Sequence, residues 1–388
     1  SFAQGGDDDL RKIVAICGEH GIKSYLTVNT VIYGEDLPLM REIIDAAKDA
    51  GVSAIIAADV AAMSYANSIG QEVHLSTQLN ISNVEALKFY ARFADVVVLA
   101  RELNLKQVHE IYQEIVKQQI KGPKGELIRI EMFAHGALCM AVSGKCYLSL
   151  HEMNASANRG ACMQICRRAY TVHDKDSQIE LDVENQYIMS PKDLKTIHFM
   201  NKMMDAGVRV FKLEGRARGP EYVRLVTECY KEAVKAYCEG TFDEEKIAVW
   251  DERLRRVFNR GFWDGYYLGQ RLGEWSSKYG SGATRKKVCV ARGIKYFSGI
   301  GVAEFEMESG SLRVGDEILV TGPTTGAVMQ TVDEIRVDLK PVEETVKGER
   351  FSIKMSEKIR PSDRLAIVEQ AIGTIPDLGL VIIDGIRD

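Results

Sequence analysis

Four cysteines lie close together near the middle of the chain, and their thiols are the strongest chemical signal in the sequence. They follow the spacing C-x6-C-x15-C-x3-C within 28 of the 388 residues, at Cys139, Cys146, Cys162 and Cys166. Residues four apart share one face of a helix, so these thiolates could converge on one centre. Structural zinc favours C-x2–4-C spacings, whereas iron–sulfur clusters accept more varied ones. Spacing alone leaves an iron–sulfur cluster, a zinc ion and free buried thiols open.

Polar residues stand at the ends of two predicted strands. Barrel enzymes do their chemistry at strand ends, so Glu131 could orient a substrate hydroxyl and His135 could transfer a proton. The alternative is that Glu131 pairs with a buried arginine and His135 is a satisfied turn residue. Gln78 ends an earlier strand and could line the same pocket, or could belong to a helix cap.

Charged residues lie around the later cysteines and at the end of the last predicted strand. Arg159 and Arg167 could stabilise an anionic cluster or bind a phosphate, or could form a solvated face. The two-pronged guanidinium of Arg216 suits a carboxylate or phosphate, unless it pairs with Glu214. The residues predicted to be catalytic are Glu131, His135, Glu214 and Arg216, and those predicted to bind a cofactor are Lys212, Arg159, Arg167 and Gln78.

Apolar β-branched runs alternate with amphipathic stretches from about residue 21 to residue 240, which predicts a parallel sheet covered by helices. The predicted strands are Ile22–Val28, Val52–Ala58, Glu72–Thr77, Asp95–Ala100, Leu127–Phe133 and Val208–Leu213. The predicted helices are Leu37–Ala50, Val60–Ile69, Asn83–Ala94, Leu105–Gln119, Pro191–Ala206 and Pro220–Cys238. Ser190 before Pro191 has the pattern of a helix N-cap followed by proline at the first helical position.

Six predicted strands are two fewer than a closed (β/α)8 barrel needs. The chain also starts with Ser1, and residues 10–20 predict a helix that leads into the first strand. Residues 1–240 could therefore form a barrel that lacks its first strands, with a truncated or processed N-terminus, or an open, doubly wound sheet. The cysteine-bearing segment 134–189 is far longer than an ordinary loop, which predicts an insertion at the strand ends.

The pattern changes after the predicted barrel. Residues 241–284 are charged and aromatic and predict a helical connector. From residue 285 to residue 388, short strand-like runs are separated by Gly, Pro, Asp and Ser. This pattern predicts a small C-terminal β-barrel with a tail.

Composition limits the class of protein. Hydrophobic residues make up 46% of the chain and charged residues 27%, as in soluble globular proteins. Neither a membrane span nor a secretory signal is visible, so the cytoplasm is the expected compartment. A net charge of −5 disfavours broad, non-specific binding of nucleic acid, so any contact with RNA must be local.

Residues 131–149, EMFAHGALCMAVSGKCYLS, resemble the signature segment of the peptidase U32 family, often called collagenase-like proteases. The resemblance continues through Asn158–Cys162, Cys166–Tyr170 and Phe211–Arg216, and it extends over essentially the whole chain. It implies a TIM-like barrel followed by a β-barrel like the second domain of elongation factor Tu. The Val314–Glu317 and Arg360–Asp363 runs match that second barrel.

The ubiquinone and tRNA hydroxylation branches of the family hold a 4Fe–4S cluster on four cysteines. By position, the resemblance implies that the ligands here are Cys139, Cys146, Cys162 and Cys166. The branch with the C-terminal barrel resembles proteins that hydroxylate the wobble uridine of tRNA without dioxygen, with prephenate implicated as the oxygen source. The implied partners are tRNA and a small-molecule oxygen donor, without a membrane; a protein partner or a homo-oligomer is left open.

Two rival functions remain at this point. The first is the activity in the family's name, a peptidase, but the sequence has neither a G-x-S-x-G elbow nor the second histidine of H-E-x-x-H after His151. The second is a non-catalytic RNA-binding adaptor that uses the C-terminal barrel alone. The intact cysteines disfavour the adaptor, because a pure adaptor needs no metal centre.

Overall fold

The computed structural model describes residues 2–168, 172–173, 180–181, 190–216, 218–270 and 281–370. Contacts divide the chain into two compact units. The first unit draws on residues 1–214, 230–247 and 260–280, and the second on residues 215–229, 248–259 and 281–388. The domain boundaries that we predict at residues 240 and 285 follow sequence pattern instead of contacts, and they stay predictions.

The first unit combines a mainly parallel sheet with helices. Its described strands are β1 Tyr25–Val28, β2 Ala54–Ala57, β3 Val73–Leu75, β4 Val96–Val98, β5 Arg129–Gly136, β6 Val172–His173, β7 Glu180–Leu181, β8 Asp193–Lys195, β9 Val208–Leu213 and β10 Phe262–Trp263. Its described helices are α1 Phe2–Glu19, α2 Leu37–Asp49, α3 Val60–Ser68, α4 Val84–Ala91, α5 Leu105–Lys117, α6 Leu148–Met153 and α7 Met200–Asp205. Two further helices have residues in both units, α8 Pro220–Cys238 and α9 Glu244–Arg255.

Strands β1 to β5 pair in chain order, and every pair is parallel. Strand β9 also pairs with β5 in parallel, whereas β8 makes a short antiparallel contact with the end of β5 and pairs in parallel with β10. All six strands predicted from the sequence are present, with ends shifted by a few residues. No pairing among the described strands closes this sheet into the predicted barrel.

The helices pack their apolar faces against this sheet. In α2, Met40, Ile44 and Ala47 are buried at the three- and four-residue spacing that places side chains on one face. The start of α3 is capped by Asp59, whose carboxylate accepts a hydrogen bond of 2.8 Å from the backbone N–H of Ala61. Asn83 and Asn104 cap the starts of α4 and α5 in the same way.

The predicted helix over Pro191–Ala206 is wrong in its first half. Residues Asp193–Lys195 form β8, and α7 begins later, at Met200. Asp193 is fully buried, and Arg260 Nη1 lies 3.3 Å from its carboxylate. Pairing with the end of β5 and burial of this charge therefore override the local helical pattern.

The C-terminal part of the second unit is an antiparallel β-structure of short strands, and its closure into the predicted small β-barrel stays a prediction. Its described strands are β11 Arg285–Phe297, β12 Val302–Met307, β13 Ser311–Arg313, β14 Glu317–Gly322, β15 Gly326–Thr331, β16 Ile335–Val337, β17 Lys340–Val342, β18 Glu344–Val346, β19 Arg350–Lys354 and β20 Arg364–Gln370. Eight of them form one sheet in the order β15-β14-β20-β11-β12-β19-β16-β17, and β13 pairs with β18. The likeness to the second domain of elongation factor Tu stays a prediction.

A buried carboxylate organises one turn of this unit. Asp363 accepts hydrogen bonds from the Thr325 hydroxyl at 2.6 Å and from the Arg360 backbone N–H at 2.8 Å. Gly322 leaves the space for that carboxylate, because a Cβ there would come within 1.8 Å of an Asp363 oxygen. The Arg360–Asp363 run singled out in the sequence is therefore a structural turn.

None of the described helices is both long and apolar enough to cross a membrane.

Candidate functional site

The four clustered cysteines lie on the segment that follows β5. The chain leaves β5 at Gly136 and passes Cys139 and Cys146 before it enters α6, and Cys162 and Cys166 come after α6. None of the four forms a disulfide; Cys139 and Cys162 are exposed, and Cys146 and Cys166 are half-buried.

The four thiols are electrostatic neighbours. Burial raises the pKa of the Cys166 thiol, Arg167 opposes this effect, and negative charge on the thiols of Cys139, Cys162 and Cys146 raises the pKa further. All three must therefore lie close enough to Cys166 to act on its charge. In the part of the chain that the structure describes, no three His, Cys, Asp or Glu side chains are arranged to hold a single metal ion.

Arg167 ties the two ends of the cysteine segment together. Its Nη1 donates to Ser190 Oγ at 2.9 Å and to Pro191 O at 3.1 Å, and its Nη2 donates to Leu138 O. Burial, together with the nearby charge of Arg260, lowers the pKa of Arg167. The guanidinium thus joins the residue before the first cysteine to the chain beyond the last one.

The loop between the first two cysteines is docked on the end of β3. Asn80 Nδ2 donates to Ser143 O at 2.9 Å, and the hydroxyls of Thr77 and Ser143 lie 3.4 Å apart. Gly144 has a positive φ of 72°, and a Cβ there would come within 3.2 Å of the Gln78 side chain. The structure therefore brings Gln78 to the cysteine loop as a packing surface.

Glu131 forms an ion pair inside the sheet. It is 7% exposed on β5, and Lys212 Nζ on the adjacent strand β9 lies 3.4 Å from its Oε1. The same ammonium lies 5.5 Å from the centre of the Phe133 ring. The partner of Glu131 is thus the predicted site residue Lys212, and not the buried arginine of the alternative reading.

A histidine that the sequence did not single out belongs to the same electrostatic group. His74 on β3 is 6% exposed, and its Nε2 lies 3.5 Å from Glu72. Burial lowers the pKa of His74, and the charge of Glu131 acts in the opposite direction. The Tyr25 ring lies 4.8 Å from the imidazole. The sequence could have singled out His74, because it is a histidine within an otherwise apolar strand.

His135 is enclosed by neighbouring side chains. It is 1% exposed, its Nδ1 lies 3.3 Å from the Tyr230 hydroxyl, and the Phe262 ring centre is 5.6 Å from its own. Tyr230 in turn donates to Ala134 O at 2.7 Å. The structure therefore packs His135 between β5 and these aromatic rings.

Glu214 and Arg216 follow β9. The Glu214 backbone N–H donates to His135 O at 2.8 Å, which extends the pairing between β9 and β5. Arg216 is exposed and belongs to the second unit, whereas Glu214 belongs to the first. The predicted roles of Glu214 and Arg216 stay predictions.

Arg159 binds a carboxylate of the loop after β1. Its guanidinium forms a two-pronged pair with Asp36, donates to Val31 O at 3.1 Å, and lies 4.6 Å from the centre of the Tyr33 ring. A backbone bond of 3.1 Å from Val31 N to Asn158 O supports the same contact. The structure therefore assigns Arg159 to fixing the stretch between the second and third cysteines.

A pocket beside Cys139 contains residues that were missed or assigned to general packing. Its lining includes Arg101, Leu138, Cys139, Trp263, Tyr266 and Tyr267. Arg101 Nη2 donates to Ala141 O at 3.2 Å, and the Tyr267 hydroxyl donates to Phe133 O at 2.9 Å. Arg101 directly follows a predicted strand, so its position was an available signal; Trp263 offered none, because it lay in the predicted connector.

Comparisons with known proteins give the chain relatives of two kinds. It is 73% identical over 358 residues to a protein of Porphyromonas gingivalis named collagenase, a match that covers 92% of this chain and 86% of the relative. It is 33% identical over 287 residues to tRNA hydroxylation protein P1 of Bacillus subtilis, covering 70% of this chain and 65% of the relative. It is also 33% identical over 273 residues to the 23S rRNA 5-hydroxycytidine C2501 synthase of Escherichia coli, covering 69% and 40%.

These names describe enzymes, which supports an enzymatic role for the chain. The model of peptidase family U32 matches residues 3–277, a stretch that contains the cysteine segment and the whole parallel sheet. The chain belongs to peptidase family U32.

Proposed function

We propose that this chain hydroxylates the wobble uridine of tRNA at C5 without dioxygen, with an iron–sulfur cluster as cofactor and prephenate as oxygen donor. The observation that carries the proposal is the set of four free cysteines on one segment after β5, where the charges of the other three thiols act on that of Cys166. The relatives named for tRNA hydroxylation and for 5-hydroxycytidine synthesis support RNA as the substrate class.

Cys139, Cys146, Cys162 and Cys166 would hold a 4Fe–4S cluster. Four thiolates suit such a cluster, which spreads its ligands over several irons and so needs no single-ion site. Arg167 directly follows Cys166, and its positive charge lowers the pKa of that thiol; a cation favours an anionic centre. When bound, the cluster supplies electron transfer or Lewis-acid chemistry.

The reaction replaces the C5–H bond of uridine by C5–OH, which removes two electrons from the base. The oxygen atom would come from the prephenate hydroxyl. If prephenate leaves as its dehydrated and decarboxylated product, a two-electron acceptor must take up the electrons together with two protons. Glu131, held by Lys212 at 3.4 Å, would orient a substrate hydroxyl.

His135 has a positioning role in this proposal. Its burial at 1% exposure and its contact with Tyr230 would fix the end of β5, from which the cysteine segment departs. A base in an anticodon loop is accessible or readily splayed, so a site at strand ends could receive it without opening a duplex.

A collagenase-like peptidase is the second candidate, and the name of the 73% identical relative favours it. The sequence motifs disfavour hydrolysis, because both G-x-S-x-G and H-E-x-x-H are missing from the chain. The two candidates make opposite predictions for tRNA nucleosides and for collagen peptides.

Complementation separates these candidates. In a bacterium that lacks its own tRNA hydroxylation proteins, the wild-type gene should restore 5-hydroxyuridine-derived nucleosides, measured by mass spectrometry of digested tRNA. Cys146→Ala should fail, and Cys238→Ala, which changes an exposed cysteine outside the cluster, should succeed. Absent modification, combined with cleavage of a collagen-type peptide by iron-free protein, would establish the peptidase instead.

A further inference from the structure

The pocket beside Cys139 carries two unpaired hydrogen-bond donors. Among the described residues, neither Trp263 Nε1 nor Arg101 Nε finds a hydrogen-bond partner, although both atoms are buried. Trp263 as a residue is only 5% exposed, and both side chains line the same pocket. Buried donors are nearly always satisfied, so an indole N–H and a guanidinium N–H left open at one pocket indicate a missing acceptor.

The rest of Arg101 is already positioned by the protein. Its Nη2 donates to Ala141 O at 3.2 Å, and its guanidinium carbon lies 5.8 Å from the centre of the Phe133 ring. The guanidinium is therefore held in place before any ligand arrives. A donor that is fixed in advance loses little conformational freedom on binding.

The remaining walls are apolar or aromatic. Leu138, Leu194, Tyr266 and Tyr267 line the pocket together with Trp263. Tyr267 uses its hydroxyl proton on Phe133 O, so it adds no further open donor. Glu102 also lines the pocket but is exposed, so solvent screens its charge.

We propose that this pocket binds a small organic carboxylate with a flat apolar body, its carboxylate accepting from Trp263 Nε1 and Arg101 Nε. A carboxylate offers acceptors alone and matches a guanidinium, as the two open donors require. A nucleobase fits less well, because its edge presents donors as well as acceptors and carries no charge. The apolar body would lie against the aromatic walls, with Cys139 beside it.

The binding itself does not depend on the proposed function. The assignment of this carboxylate as a co-substrate next to the four thiols, however, rests on the proposed function. A direct measurement of binding therefore tests the pocket even if the chain proves not to modify tRNA.

The experiment is calorimetry on the full chain with phenylacetate and its neutral analogue phenylacetamide. Phenylacetate should bind at least about tenfold more tightly, because the amide removes the charge and one acceptor. Trp263→Phe keeps the ring and removes the N–H, and it should weaken phenylacetate binding several-fold and phenylacetamide binding by less. Arg101→Gln should weaken it by about tenfold or more.

Two controls keep the test decisive. Trp250→Phe changes a buried tryptophan outside this pocket and should leave the affinity for phenylacetate unchanged. Circular dichroism and iron content of each variant show whether the fold and the thiol site persist. Equal affinities for acid and amide, no binding of either compound, or an equal loss in Trp250→Phe and Trp263→Phe would overturn the proposal. Phenylacetate binding without tRNA modification would sink the proposed function alone.

Discussion

The cysteine segment and the second unit are held in place by different kinds of interaction. In the second unit, strands such as β11 pair on both sides, with β12 and β20, over an apolar core. Beyond β5, the described part of the cysteine segment has the short helix α6, single turns and the two-residue strands β6 and β7, and side chains anchor it to the rest of the first unit. Arg167, Arg101 and Asn80 each donate to a backbone carbonyl of this segment.

Single substitutions should therefore have different effects in the second unit and in the cysteine segment. A strand ladder spreads its stability over many equivalent bonds, so a substitution there acts mainly through lost core volume. A segment held by a few side chains concentrates its stability in them. Changes in these side chains should loosen the thiol site while the fold persists.

The largest effect is expected in the core of the second unit. Phe305 is fully buried and stacks on Phe351 with ring centres 5.7 Å apart, so Phe305→Ala should destabilise this unit by about 3–5 kcal/mol. Hydrogen exchange of peptides from residues 285–370 measures the loss. Phe297→Ala, at a residue 39% exposed, is the control and should cost far less. Equal acceleration of exchange in the cysteine segment would contradict the comparison.

The second largest effect is expected when the hydrogen bonds of the Arg167 guanidinium are removed. Arg167→Met deletes three hydrogen bonds from a charged donor, and we expect a local loss of about 2–4 kcal/mol. Exchange should accelerate over residues 138–167, and the iron bound after anaerobic reconstitution should fall by more than half. Arg168→Met changes the exposed neighbour and should retain the iron. Unchanged iron in Arg167→Met would show that other contacts hold the thiols.

A pH effect should distinguish the two units. Burial lowers the pKa of His74 below 6.5, so the unfolded chain binds more protons than the folded one just below that pH. The stability of the first unit should therefore fall as pH drops from about 6.5 towards the lowered pKa. Hydrogen exchange at pH 7.5 and 5.5 measures the change, and His74→Asn should reduce it. An equal acid loss in the variant would assign the effect to other groups.

The smallest effect is expected at the Arg159–Asp36 pair. The hydrogen bond from Arg159 lowers the pKa of Asp36, so the pair is intact at neutral pH and is lost as pH falls through that lowered pKa, below 3.8. Asp36→Asn should modestly accelerate exchange over residues 156–160, and added salt should shrink the difference from wild type. Glu35→Gln, at the adjacent exposed residue, should not accelerate exchange over residues 156–160. A salt-independent difference would argue against an ionic contact.

Secondary-structure elements that are determined by nearby residues were predictable from the sequence. Apolar runs bounded by turn residues located the six strands, and the length of the stretch after β5 located the cysteine insertion. The short strands of the second unit followed from apolar runs between turn residues. Each of these signals lies within a dozen residues of the element that it predicts.

Features that depend on distant partners were not predictable. The local pattern of Asp193–Lys195 predicts a helix, but the segment forms a strand that pairs with the end of β5. Asp193 also forms an ion pair with Arg260. Arg159 finds Asp36 across 123 residues of chain. Trp263 carries an open donor only because of the pocket around it. Tertiary contacts decide all three, and no local pattern encodes them.

The acceptors of Arg167 also set an order of events during synthesis. One is the carbonyl of Leu138, and the other two belong to Ser190 and Pro191, which leave the ribosome later than every one of the four cysteines. A nascent chain that ends just beyond Cys166 therefore cannot form the hydrogen bonds of Arg167 to Ser190 and Pro191, although all four cysteines have already been synthesised. We expect iron delivery to a chain truncated before residue 190 to give unstable loading, so that the proposed cluster would be retained only after residues 190 and 191 have been made.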